Sequence, residues 1–214
     1  MNGELRVVDD VAGAFASMVE REAPPSIALS GGETARRCYG LLARLSTDWS
    51  GVDIWFGDER WVPIDDDDSN EGMARRVLLD RAMPRAVHSL RLAGDTPERA
   101  TAAYDEELRR YDPIALVHLG LGPDGHTASL FPGSPALVER ERLVVATGDG
   151  QHQHPRLTFT YPALARSRLI VFTVEGEGKR DAFARVRAGD LAAPATTVAA
   201  ERVVWLVDPA AAGP

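Results

Sequence analysis

The chain has 214 residues, 44 % of them hydrophobic, and a formal net charge of −8. That is enough for one large domain with a sizeable core. The acidic balance, with no basic block, argues against nucleic acid or an anionic membrane surface as a partner, and no run of about 18 apolar residues is present to span a bilayer.

Cys38 is the only cysteine, which excludes an intrachain disulfide and a cysteine-rich metal site and fits a reducing compartment. The first residues, Met1-Asn-Gly-Glu-Leu5, have neither the charged nor the apolar region of a signal peptide. A cytoplasmic protein is expected. Of the 24 basic residues one alone is lysine, Lys179. A compact ammonium among planar guanidinium groups marks that position for inspection.

In chain order, Leu5–Val8 reads as a first strand, and Asp9 or Asp10 caps a helix over about 11–22 that turns Val11, Phe15, Met18 and Val19 to one face. Pro24 and Pro25 end it. Ser26–Leu29 is a short buried strand, after which Ser30-Gly31-Gly32-Glu33-Thr34 opens a helix to about Leu45. Strand, glycine pair, hydroxyl and helix N-terminus form an anion trap, because the glycines let backbone N–H groups approach and the helix dipole adds positive potential. The plainer reading makes Ser30 or Thr34 only an N-cap. Cys38, inside this helix, is expected to pack rather than react.

Val52–Phe56 is another strand, ending at Gly57-Asp58-Glu59-Arg60-Trp61-Val62-Pro63. Its carboxylates and guanidinium suit either polar substrate groups or a surface ion-pair cluster. Asp65 to Asp68 lack the alternating spacing of a calcium loop and read as a solvated loop. Ser69-Asn70-Glu71 caps a helix to about Ala82 with Met73, Val77 and Leu78 inward. Val87–Leu90 is a short strand in which His88 is structural. Thr96-Pro97-Glu98 starts a helix to about Tyr111.

Ile114–Leu119 is an unbroken apolar run of the kind that makes a strand buried on both faces, with His118 a buried, hydrogen-bonded side chain. The chain then meets Gly120-Leu-Gly-Pro-Asp-Gly-His-Thr-Ala-Ser-Leu-Phe-Pro-Gly133. Three glycines, the carboxylate of Asp124 and the imidazole of His126, just past a buried strand, lie where open α/β sheets hold ligands. Gly120, Gly122 and Gly125 also match a dinucleotide fingerprint, which is discounted because no helical pattern follows directly. Strands are expected at Leu143–Ala146, Arg156–Thr160, Arg168–Val174 and Val203–Val207, the last closing the sheet. Gly176-Glu-Gly-Lys179 leads into a helix to about Arg187. His152 and His154 lie in a polar loop without further ligands at metal spacing, so no metal is expected. The alternation of strands and helices predicts one α/β domain over residues 1–214, three-layered, with a mostly parallel, Rossmann-like sheet.

Four segments together resemble the 6-phosphogluconolactonases, within the group that includes the glucosamine-6-phosphate deaminases. They are Ser30–Thr34; Asp58–Pro63 with Ser69 and Asn70; Gly120–Gly133; and Gly176–Lys179; Arg156–Thr160 is a fifth. They occur in the family's order over most of the chain. The run Thr127-Ala-Ser-Leu-Phe-Pro132 after Asp-Gly-His is that of the lactonases, whereas deaminases continue with Ile-Ala-Phe-Asn-Glu-Pro. Ala35 departs from the family's usual proline, which loosens the first helical turn.

The resemblance implies hydrolysis of 6-phospho-D-glucono-1,5-lactone to 6-phosphogluconate, a step of the oxidative pentose phosphate pathway, without metal or organic cofactor. It implies His126 as general base for water, with Asp124 orienting the ring or stabilising its protonated form. The phosphate would sit against Ser30, Gly31, Gly32 and Thr34, with Lys179 and Arg156 supplying positive charge. Asp58, Arg60 and Asn70 are candidates for sugar hydroxyls or the lactone oxygen. A monomer or weak homodimer is expected. The alternatives are an amino-sugar-phosphate deaminase/isomerase using the same loop, and a non-catalytic phosphosugar-binding module.

Overall fold

The structure, a computed structural model, describes residues 1–147 and 153–213. Its main sheet has seven strands: β1 (Glu4–Val7), β2 (Ser26–Leu29), β3 (Asp53–Phe56), β5 (Ala86–Val87), β6 (Leu116–Gly120), β9 (Leu169–Val174) and β10 (Arg202–Val207). They lie in the order β1-β10-β9-β6-β2-β3-β5, every neighbouring pair parallel. The remaining strands, β4 (Asp58–Arg60), β7 (Val144–Thr147) and β8 (Arg156–Phe159), form a separate antiparallel sheet in the order β4-β8-β7.

This second sheet corrects the sequence reading, which gave Asp58–Arg60 no strand and took the strands near 143–146 and 156–160 as members of one sheet. Each piece is too short to reveal its partner, and pairing is a tertiary choice. Nor does β10 close the main sheet. It lies inside, and β1 returns to form the edge.

The helices are α1 (Val11–Glu22), α2 (Glu33–Leu42), α3 (Asn70–Ala74), α4 (Asp80–Ala82), α5 (Pro97–Arg110), α6 (Tyr161–Ala165), α7 (Arg180–Arg187) and α8 (Pro209–Ala212). The single helix expected up to Ala82 is α3 and α4 joined through a π-helical stretch, Arg75–Leu79; Met73 and Leu78 are buried and Val77 half-buried. Local signals set several boundaries. Asp10 caps α1 by accepting from the N–H of Gly13, and Thr96 caps α5 through Arg99 with Pro97 in its first turn. The helix after the glycine pair is shorter than predicted and begins at Glu33. Gly32 stands at its N-cap with no side-chain cap, so neither Ser30 nor Thr34 serves that purpose.

Two faces of the sheet are covered. On one, Phe15 of α1 stacks on His118 of β6 at 4.0 Å and Tyr39 of α2 meets the same ring edge-on. On the other, Tyr104 of α5 packs on Trp55 of β3, and Phe183 of α7 on Trp205 of β10. Side chains alternate along each strand, so this places α1 and α2 on one side and α5 and α7 on the other. Buried apolar residues from all these elements join into one core cluster. No helix among the described residues is long and apolar enough to cross a membrane.

The sheet order reverses its chain direction between β2 and β6: outward from β2 come β3 and β5, and outward from β6 come β9 and β10. At such a switch point the loops beyond the strand ends part and leave a crevice. The segments after β2, β3, β6 and β9 are the ones singled out from the sequence.

Candidate active site

Two adjoining cavities open at this crevice. One, of about 540 Å³, is lined by Gly31, Gly32, Thr34, Arg37, Gly176 and Lys179, among others. The other, of about 200 Å³, is lined by residues including Ser30, Asp58, Arg60, Asn70 and His126. They share Gly31, Gly32, Gly120, Leu121 and Lys179, so they form one cleft with two ends.

The loop after β6 is tightly tied. Gly122 N–H donates to the carbonyl of His126 at 2.8 Å, Gly125 N–H to that of Gly122 at 3.0 Å, and the Thr127 hydroxyl to that of Gly120 at 2.9 Å. Two glycines are required here. Gly125 has φ +90°, and a Cβ on Gly122 would lie 2.1 Å from Nδ1 of His126. Ala128 adopts φ +48°, a left-handed conformation uncommon for alanine and a mark of a locally over-determined turn.

Within this loop Oδ1 of Asp124 lies 2.5 Å from Nδ1 of His126 and accepts the backbone N–H of the same residue at 3.1 Å. An ionised carboxylate only accepts, so Nδ1 carries the proton and Nε2 is left as the acceptor. Burial pushes the pKa of His126 below the usual imidazole value, opposed by Asp124 and Asp58, while Lys179 lowers it further. Partial burial works against the charged form of Asp124. The N–H of residue 126 and the facing imidazole outweigh it, so its carboxyl stays below the usual range. Phe131 packs against the imidazole with ring centroids 4.5 Å apart.

Asp58 and Asn70 line the cleft, yet hold each other. Asn70 Nδ2 donates to the carbonyl of Asp58 at 3.0 Å and to its Oδ1 at 3.3 Å, and Ser129 Oγ donates to Oδ2 at 2.9 Å. Glu59, which the sequence reading grouped with its neighbours but did not carry into the proposed site, is the organiser. Its buried carboxylate accepts the N–H groups of Arg60, Asn70 and Glu71 and the hydroxyl of Ser69, pinning the N-terminus of α3 to β4. Burial raises its pKa despite these bonds. The clue lay in its place between two candidate residues.

Opposite stands the glycine loop. The N–H of Ser30 donates to the hydroxyl of Tyr39 at 2.7 Å, so that amide is already engaged. Tyr39 in turn meets Nδ1 of His118 at 2.9 Å, and Nε2 of His118 meets the Thr173 hydroxyl at 2.9 Å. His118 is buried and hydrogen-bonded, as expected, and burial pushes its pKa down to about 3. Cys38 is buried as well, its thiol pushed up to about 12 chiefly by burial.

Lys179 sits at the N-cap of α7, half-buried and lining both ends of the cleft, its pKa lowered by burial and supported by Asp124. Arg156 pairs across the β4–β8 ladder with Arg60, which lines the cleft, and burial and that neighbouring cation lower its pKa. The structure therefore brings together Ser30, Gly31, Gly32, Asp58, Arg60, Asn70, His126 and Lys179 around one end of the cleft, with Thr34 at the other. No group of three metal-ligating side chains occurs among the described residues. His154 contacts Asp68 at 3.3 Å, whereas His152 lies outside the described residues.

The sequence family described as glucosamine-6-phosphate isomerases/6-phosphogluconolactonase matches residues 4–205. The chain belongs to this family. A 6-phosphogluconolactonase of Synechocystis sp. is 40 % identical over 198 residues, 86 % of this chain and 81 % of that one. One from Nostoc sp. is 36 % identical over 221 residues, covering 96 % and 91 %. Among solved structures, a 6-phosphogluconolactonase from Shewanella baltica superposes with a TM-score of 0.84 at 31 % identity, covering 97 % of each chain. One from Trypanosoma brucei gives 0.84 at 27 % identity over 99 % and 98 %. A monomeric glucosamine-6-phosphate deaminase gives 0.81 at 17 % identity, which shows a shared fold alone.

Proposed function

We infer that the chain is an enzyme hydrolysing 6-phospho-D-glucono-1,5-lactone to 6-phospho-D-gluconate, with His126 as general base and no covalent intermediate. The observation that carries this reading is the Asp124–His126 pair, which leaves Nε2 as proton acceptor in a cleft whose far end is a glycine-lined helix N-terminus beside Lys179. The relatives bearing the lactonase name support the substrate.

In this mechanism a water held by Nε2 attacks the lactone carbonyl carbon and gives that nitrogen its proton. Asp124 stabilises the imidazolium, and the guanidinium of Arg60 lowers the cost of the developing oxyanion. Collapse of the tetrahedral intermediate breaks the bond to the ring oxygen, which takes the proton back from Nε2. The product acid then ionises, releasing one proton to solvent. Atoms and charge balance with no group beyond water.

The phosphate is placed against the N–H groups of Gly31 and Gly32, the hydroxyls of Ser30 and Thr34, the N-terminus of α2 and the ammonium of Lys179. The N–H of Ser30 takes no part, being given to Tyr39. Arg156 acts on this site through its charge beside Arg60. Asp58 and Asn70 shape the wall on which sugar hydroxyls rest. We place the protein in the cytoplasm as one domain, acting as a monomer or weak homodimer.

The test is proton release from freshly prepared phosphogluconolactone, followed in a pH-stat and corrected for spontaneous opening. Ammonia release from glucosamine 6-phosphate is the parallel arm. Acceleration of the first reaction alone supports the reading; ammonia release without lactone opening overturns it.

A further inference from the structure

Helix α7 starts at Lys179 in the cleft and reaches the base loop two turns later. There Arg185 donates from Nη1 to the backbone carbonyl of Asp124 at 3.1 Å and from Nε to Oδ2 of Asp190 at 2.7 Å. The other oxygen of Asp190 accepts the N–H of Ala192 at 2.9 Å, closing the turn beyond the helix. That turn sets the buried Ala193 against Gly125, so closely that a Cβ on Gly125 would lie 2.6 Å from the Cβ of Ala193. Ala195 N–H then donates to the Gly125 carbonyl at 3.0 Å. Two successive carbonyls of the base loop, those of residues 124 and 125, are thus held by a single stretch of chain.

A loop with glycine at 122 and 125 has wide backbone freedom, yet the Asp124 carboxylate must stay on Nδ1 of His126. Bonds within the loop engage the amides of residues 122 and 125 and the carbonyls of 122 and 126. The peptide unit after Asp124 is held at both ends, its N–H by the Gly122 carbonyl inside the loop and its carbonyl by Arg185 from outside. We propose that Arg185, clamped by Asp190, is a positioning residue that holds the Asp124–His126 pair in register and ties it to the Lys179 end of the cleft. It touches no substrate. The proposal rests on the reading of His126 as base.

The charged groups facing the imidazole are Asp124 from its own loop, Asp58 from β4 and Lys179 from the start of α7. Asp124 pulls the imidazole pKa up against burial. Loosening Asp124 removes that pull, so the His126 pKa should move down while the ring loses its fixed tautomer.

The test uses Arg185→Ala, Arg185→Lys and Asp190→Asn in the full chain. For Arg185→Ala we expect kcat to fall about tenfold with KM for the lactone within about twofold, since misplacing a base costs turnover rather than binding. The acid limb of the pH–kcat profile should shift to lower pH. Arg185→Lys should recover part of kcat by returning a cationic donor, and Asp190→Asn should fall between. An NMR titration of the His126 imidazole in the substrate-free protein reads the same shift without turnover. It separates failure of this proposal from failure of the lactonase reading. Unchanged kcat and an unchanged imidazole pKa in Arg185→Ala, with only a lower Tm, would overturn the proposal by making Arg185 structural. Should Arg185→Ala fail to fold, Asp190→Asn decides: a parental imidazole pKa and parental kcat in it overturn the proposal equally.

Discussion

Asp124 Oδ1 accepts both the side-chain Nδ1–H and the backbone N–H of His126, at 2.5 and 3.1 Å. One carboxylate oxygen therefore fixes the tautomer of the ring and the loop that carries it. Two substitutions separate these duties. His126→Ala should reduce kcat by roughly 10²–10⁴-fold, the usual worth of a general base, while binding of 6-phosphogluconate stays near parental by calorimetry. Asp124→Asn should lower kcat with little change in KM, because an amide can present its N–H to Nδ1 and favour the wrong tautomer. Activity within a few-fold of parental in His126→Ala would remove the base assignment.

The pH profile follows from the same pair. The neutral imidazole is the working form, so activity falls as pH drops through the folded pKa of His126. Burial holds that pKa below the ordinary value of 6.5. The acid limb of kcat/KM should therefore have its midpoint under pH 6.5, and a midpoint above it would contradict the burial argument.

Lys179→Ala should raise KM and leave kcat nearly unchanged, because an ammonium on a distal phosphate contributes equally to ground and transition states. Lys179→Arg should recover only part of the affinity, the planar fork being a poor substitute for a compact charge at a half-buried N-cap. Steady-state kinetics on the lactone reads both.

Gly122→Ala places a methyl 2.1 Å from Nδ1 of His126, a clash that only displacement of the ring or loop relieves. We expect a loss of kcat on the order of 10²-fold, in line with angstrom-scale misplacement of a catalytic group. Circular dichroism should show the fold intact. Parental kcat in this variant would mean that the ring position is not critical.

His118 bears on stability. Its pKa is about 3 folded and near 6.5 unfolded, so the unfolded chain binds more protons between those values. Its contribution is complete above pH 6.5 and is lost as pH falls towards 3. His118→Gln should flatten the fall in unfolding free energy between pH 6.5 and 4.5, read from urea melts. In Tyr39→Phe the buried N–H of Ser30 loses its partner, a cost of about 1–3 kcal/mol at neutral pH.

Much of the candidate site was legible in the chain because its residues sit on contiguous strand-end segments. Ser30 to Thr34, Asp58 to Arg60, Asp124 to His126 and Gly176 to Lys179 each combine a buried apolar strand with glycine or charge just beyond it, and parallel strands end on one side of a sheet. Arg156 was assigned to the phosphate on resemblance. Its neighbour across the ladder, Arg60, is set by an antiparallel pairing between short strands nearly a hundred positions apart, for which no local periodicity exists. Arg185 and Asp190 gave no signal at all, since an arginine on a polar helix face is ordinary until the carbonyl it meets is known.

The positions of the buried strands along the chain, the glycines and the titratable residues beyond them were written in the chain itself, because burial, backbone freedom and charge are properties of local composition. Strand order, the second sheet, the tautomer of His126 and the clamp on Asp124 were decided only in three dimensions. Each depends on which groups distant in sequence come within hydrogen-bond reach, and packing of the whole core selects those partners.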